Sequence, residues 1–122
     1  MREFKFRAWN RIVGRMQYFT LPDIEIQKGK IQWQNLDIMQ FTGLADKNGK
    51  EIYEGDILNF ENKFTYDVRY EDAKFVCHHV KGNGWGKWGD LHRFFDPDFL
   101  VYGGVEVIGN IYEHPELLSS KA

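Results

Sequence analysis

The sequence predicts a mainly β protein, and three observations carry that reading. Residues 39–58, MQFTGLADKNGKEIYEGDIL, set short apolar runs between two glycine corners, at Asn48-Gly49 and at Gly55. Phe64, Tyr66, Val68 and Tyr70 alternate with Thr65, Asp67 and Arg69, the period-two rhythm of a strand with one face covered. The same rhythm opens the chain, where Phe4, Phe6 and Ala8 alternate with Lys5, Arg7 and Trp9.

In chain order, the opening run reads as a strand that buries Phe4, Phe6 and Ala8 and turns Lys5, Arg7 and Trp9 to water. Residues 10–14 supply a turn, and Met16, Tyr18 and then Leu21 would make the returning strand before Pro22-Asp23 breaks it. A second hairpin follows, Ile24 and Ile26 pairing across residues 27–30 with Ile31 and Trp33. The central block then runs strand, tight turn, strand, tight turn, strand, with Phe41 and Ile57 as core residues. Residues 71–74 reverse the next strand into residues 75–80, whose two faces are both partly apolar, as suits a strand near a sheet centre. Residues 81–89, KGNGWGKWG, hold four glycines and two tryptophans and read as a loop at their start. Trp88, Leu91 and Phe95 fall at helical spacing, giving a short helix near 89–95 that Asp96-Pro97 ends. A last strand holds Val105, Val107, Ile108 and Ile111, and Pro115 stands where the first turn of a helix near 115–119 tolerates it.

At 122 residues the chain has the length of one domain, divided as hairpins at 1–38, a central block with the strands that follow it at 39–112 and a tail at 113–122. A 16% aromatic content beside 28% charged residues places it among globular chains. One cysteine, Cys77, permits no internal disulfide and no thiolate cage, so the expected compartment is a reducing cytoplasm. No apolar run is long enough for a membrane span, and the opening residues carry no signal-peptide core. The net charge of −2 argues against general nucleic-acid binding, although residues 1–15 hold five basic side chains against one acidic.

Three stretches carry a family resemblance: MREFKFRAWN at the start, QFTGLADKNGKEIYEGDIL in the middle and VEVIGNIYEHPELL near the end. Together, and in this order, they resemble the signature blocks of the YopX family of small phage and prophage proteins. The resemblance implies a β-rich fold with an SH3-like barrel in the C-terminal part and an intracellular, phage-related setting. It implies no activity and no catalytic residues.

The residues themselves offer several chemistries, each with a plainer competitor. Residues 46–51, DKNGKE, suggest a calcium loop, but glycine falls fourth rather than sixth and a lysine sits fifth, so a hairpin turn is the better reading. Glu54 and Asp56 flank Gly55 as an acid–base pair might; the competing reading is a solvated corner whose Asp56 accepts from nearby backbone amides. Cys77 and His79 share a face and could touch one zinc ion with His78, His92 or His114, yet a structural zinc site usually shows two paired ligand motifs. No cofactor, metal or catalytic residue is therefore expected, and the chain reads as a non-enzyme.

Two binding features remain. Lys5, Arg7, Trp9 and Arg11 on the opening hairpin, with Arg15 beyond, could hold a phosphate backbone while the indole stacks on a base. The competing reading is a solvated edge that deters strand pairing. Trp85, Lys87, Trp88 and Arg93 form an aromatic and basic segment of the kind found in binding loops, or one that folds back over the barrel or into an oligomer contact. The expected function is a small β interaction module that binds a host or phage protein or its own copies, with a nucleic-acid accessory factor as the alternative. No membrane partner is expected.

Overall fold

The structure is a computed structural model that describes residues 4–20, 33–81, 86–100 and 103–118. Nine strands are described: β1 (Lys5–Asn10), β2 (Arg15–Thr20), β3 (Leu36–Ala45), β4 (Glu51–Tyr53), β5 (Asp56–Phe60), β6 (Phe64–Glu71), β7 (Lys74–Lys81), β8 (Gly86–Asp90) and β9 (Val105–Asn110). They form two antiparallel sheets, one in the order β2-β1-β3-β4 and one in the order β8-β7-β6-β5-β9. Short 3-10 turns occupy Trp33–Asn35, Leu91–Phe95 and Pro115–Leu118, and a single α-helical turn, α1, spans Pro97–Leu100.

The mainly β expectation holds, and the central block folds as read. Phe41 pairs with Tyr53 and Ala45 with Glu51 across the first corner, and both Phe41 and Ile57 are buried. The corner owes its shape to Asp46 rather than to Asn48. Its carboxylate accepts from the amides of Asn48 and Lys50 at 2.9 Å each, and the Lys50 carbonyl in turn accepts the Asp46 amide. The short helices expected near 89–95 and 115–119 are present as 3-10 turns.

Four expectations need correction. The C-terminal strands make no closed barrel among the described residues: their sheet is open, running from β8 to β9. Leu91 and Phe94, on the 3-10 turn after β8, pack with Ile52, Leu58, Phe60, Tyr66, Val68, Cys77 and Val105 to form the main core. A short cover thus replaces ring closure as the way to bury that face.

Residues 86–90 are a strand and not part of a loop. The middle of β7 is buried at Val76 and Cys77, so its outer edge needs a partner for its amides and carbonyls. Gly89 and Gly86 pair with Cys77 and His79, and a register shift between Cys77 and His78 accommodates the irregular sequence.

The opening strand does not alternate as its sequence suggests. Arg7 and Ala8 are both buried whereas Phe4 is 47% exposed: β2 and β3 pair both edges of β1, and the corner that carries Glu54 and Asp56 covers the face from which Arg7 projects. It is therefore neither a water-facing basic strand nor a sheet edge. Likewise, β6 is buried on both faces from Thr65 to Val68: Tyr66 and Val68 pack into the main core, and Thr65 and Asp67 are buried on the opposite face. The second hairpin predicted around residues 24–33 lies almost wholly outside the described residues.

Candidate functional site

The two sheets meet where the corner after β4 passes beneath β1. Backbone pairing to Tyr18 and Met39 fixes Arg7 in mid-strand and sends its side chain to that corner. The guanidinium, 4% exposed, donates from Nη2 to Asp56 Oδ1 at 2.8 Å and to the Glu54 carbonyl at 2.9 Å. It also lies over the Tyr53 ring, 4.9 Å from the centroid. Asp56 Oδ2 accepts the Tyr53 amide at 2.8 Å. Burial pushes the Asp56 carboxyl up from its usual range, outweighing the opposing pull of Arg7 and of the Tyr53 hydrogen bond. The solvated corner expected around Asp56 is thus a buried ion pair, although its backbone hydrogen bond is as anticipated.

Gly55 makes this approach geometrically feasible. Its φ of 84° is left-handed, and a Cβ there would stand 3.0 Å from Met39 Sδ and 3.7 Å from Arg7 Nη2. Its amide donates to the Val68 carbonyl at 2.8 Å and its carbonyl accepts the Ile111 amide at 2.9 Å. Trp9 stacks on Tyr112 with centroids 5.7 Å apart. The opening, middle and closing signature blocks therefore converge on one junction and hold the sheets together there.

The expected binding residues are distributed otherwise than predicted. Lys5 pairs with Glu51 and lies over the Phe41 ring, Arg7 with Asp56, and Arg11 with Asp37 and the Gln34 carbonyl. Acidic side chains contributed by later strands thus meet the three cations of the opening hairpin, and Trp9 gives a face to Tyr112. Arg93 is exposed on the 3-10 turn that follows β8, a strand of the other sheet. Trp85 and the side chains of Lys87 and Trp88 lie outside the described residues.

The residues suggested for chemistry also serve the fold. Glu54 Oε1 accepts the Gln40 amide at 3.0 Å, while Asp56 faces Arg7. Cys77 is fully buried and burial drives its thiol pKa upward. His79 packs against Tyr66 and Phe64, His78 meets Glu71 at 2.9 Å, and His114 Nδ1 accepts the Asn110 amide at 3.1 Å. Among the described residues no three His, Cys, Asp or Glu side chains stand together as a metal site.

Beside the junction, a groove of roughly 490 Å³ runs between Ile38 and Met39 of β3, residues 67–71 of β6 and the segment after β9. Its volume falls in the range of about 300–1,000 Å³ that binding clefts occupy. Ile38, 44% exposed, and Tyr70, 51% exposed, contribute apolar surface that stays in contact with water. Ile111, Tyr112 and Leu118 are half-buried along it. Its charged lining is Glu54, Asp67, Arg69 and Glu71, and Arg69 is held by Asp67 through two hydrogen bonds of 2.8 and 3.2 Å. Burial, with Asp37 and Glu54 close by, pushes the Tyr112 phenol up. Sequence reasoning missed this groove because separate chain segments build it. The one local signal was the charged side chains interleaved with Tyr66, Val68 and Tyr70.

The fold and this junction define a two-sheet antiparallel β protein whose motif residues are architectural. The chain belongs to the YopX family: the family model described as "YopX protein" matches residues 29–119, which leaves the opening block outside the match. The crystal structure of protein EF1440 from Enterococcus faecalis is similar, with a TM-score of 0.64 and 25% identity, covering 98% of this chain and 100% of that one. No curated protein matches.

Proposed function

We propose that the chain is a non-enzymatic interaction module, of phage or prophage origin and acting in the host cytoplasm, that docks a protein segment in the groove between its sheets. The observation that carries this reading is the groove itself, with Ile38 and Tyr70 exposed where two sheets meet. Apolar side chains kept in contact with water around a concave, polar-lined site are the usual preparation for a protein partner. The engagement of Glu54, Asp56 and Cys77 within the fold supports a non-enzymatic role. The nucleic-acid alternative draws less support, since Lys5, Arg7 and Arg11 are each matched by a carboxylate.

A photo-crosslinking amino acid at position 70, expressed in host cells, tests this reading against the same probe at the exposed Asp98 of α1. The expected result is a discrete protein adduct at position 70 that the Asp98 probe does not form. No adduct at position 70, or identical adducts at both positions, would overturn it.

A further inference from the structure

We propose that the segment docked in the groove is the β1–β2 hairpin tip of a second copy of this chain, so that two copies exchange tips about a two-fold axis. This rests on the docking function proposed above and names its partner.

The tip, residues 11–15, has the sequence RIVGR. Ile12 is 72% exposed and Val13 53%, on a turn that places both beyond the end of the sheet. Exposed apolar side chains on a floppy loop would lose much of their docking energy to ordering. This tip is already ordered. Asn10 Oδ1 accepts the amides of Ile12 and Val13 at 2.9 and 3.2 Å, and the Asn10 carbonyl accepts the Gly14 amide at 2.8 Å. Arg11 is pinned by Asp37 and the Gln34 carbonyl, which leaves the exposed Arg15 as the tip's outward cation.

The groove complements the tip in both respects. Its apolar surface, Ile38, Tyr70, Ile111 and Leu118, suits Ile12 and Val13. Its charged lining is Glu54, Asp67 and Glu71 against the guanidinium of Arg69 among the described residues; Asp67 is buried and paired with Arg69, so Glu54 and Glu71 supply the net negative charge that attracts Arg15. Placement completes the argument. Trp9, just before the tip, stacks on Tyr112 of the groove, and Asp37, which pins Arg11, precedes Ile38 in β3. Tip and groove are neighbours, so a two-fold axis between them lets each copy give and receive the same contact.

The test is sedimentation velocity of the purified full chain over a range of concentrations, beside Ile12→Glu and Tyr70→Glu. A concentration-dependent dimer is expected, with each variant weakening it at least about tenfold while melting with the wild type. Mixing the two variants should restore a heterodimer stronger than either homodimer, because one intact tip then meets one intact groove. A monomer at every concentration, a dimer indifferent to both variants, or a mixture without heterodimer would overturn the proposal. If the purified chain is monomeric while the probe at position 70 captures a different protein, tip exchange fails and groove docking stands. Failure of both experiments removes both.

Discussion

Removing the Asp46 carboxylate should loosen two parts of the fold at once. Asp46 is 7% exposed, and its Oδ1 accepts the amides of Asn48 and Lys50 while its Oδ2 accepts the Val107 amide of β9 at 2.9 Å. Hydrogen bonds to a charged acceptor contribute about 1.5–3 kcal/mol each. Asn48 and Lys50 are exposed, so water replaces much of what they lose; the half-buried Val107 amide has less access to it. We therefore expect Asp46→Ala to cost about 2–4 kcal/mol. An unfolding entropy of about 2.1 cal/mol/K per residue over 122 residues converts this to a fall of about 8–16 °C in melting temperature. Asp46→Asn keeps Oδ1 for the turn but presents an NH2 to the Val107 amide, so it should lose about half as much. Calorimetry gives the melting temperatures and amide hydrogen exchange at Val107 gives the local effect. Melting of Asp46→Ala within about 2 °C of wild type, or unchanged exchange at Val107, would refute the reasoning.

Three further outcomes follow from the same structure. A Cβ on Gly109 would lie 2.7 Å from His114 Nδ1, so Gly109→Ala should cost about 1–3 kcal/mol in urea unfolding, and adding His114→Ala should recover part of it. Cys77 is fully buried with its thiol pKa raised, so a thiol-specific chromophoric reagent should react with it only as fast as the chain unfolds. Because burial raises the Asp56 pKa above its ordinary value of 3.8, the folded state holds that proton more tightly than the unfolded chain does. The stabilisation is full below the unfolded value and is lost as pH rises through the folded one. Wild type should therefore lose stability relative to Asp56→Asn as pH rises above that ordinary value in parallel urea titrations.

The central block was legible because its structure is local. Asn48-Gly49 and Gly55 mark reversals wherever they stand, and Phe41 and Ile57 show their burial through the runs around them. Pro115 marked the start of the last 3-10 turn for the same reason. Arg7 was misread because its environment is not local. A strand of alternating Phe and cation is the pattern of an amphipathic edge, and only the arrival of Asp56 from the far corner makes Arg7 an interior residue. Strand β8 was hidden by its glycines, which disfavour a strand in isolation; the open edge of β7 supplies what the local sequence lacks. The groove takes its lining from β3, β6, the corner at Gly55 and the residues after β9, so no window of the sequence contains it.

The most direct test of the claim that the signature residues join the sheets is a double-mutant cycle on Arg7 and Asp56 near neutral pH. Arg7→Met strands a carboxylate that is 2% exposed and should cost about 3–5 kcal/mol. In Arg7→Met with Asp56→Asn, no charge is left stranded and the side-chain carbonyl introduced at position 56 can still accept the Tyr53 amide, so most of that loss should return. Strong coupling of this sign is the predicted result. Arg7→Met melting with the wild type, or two single effects that simply add, would contradict it.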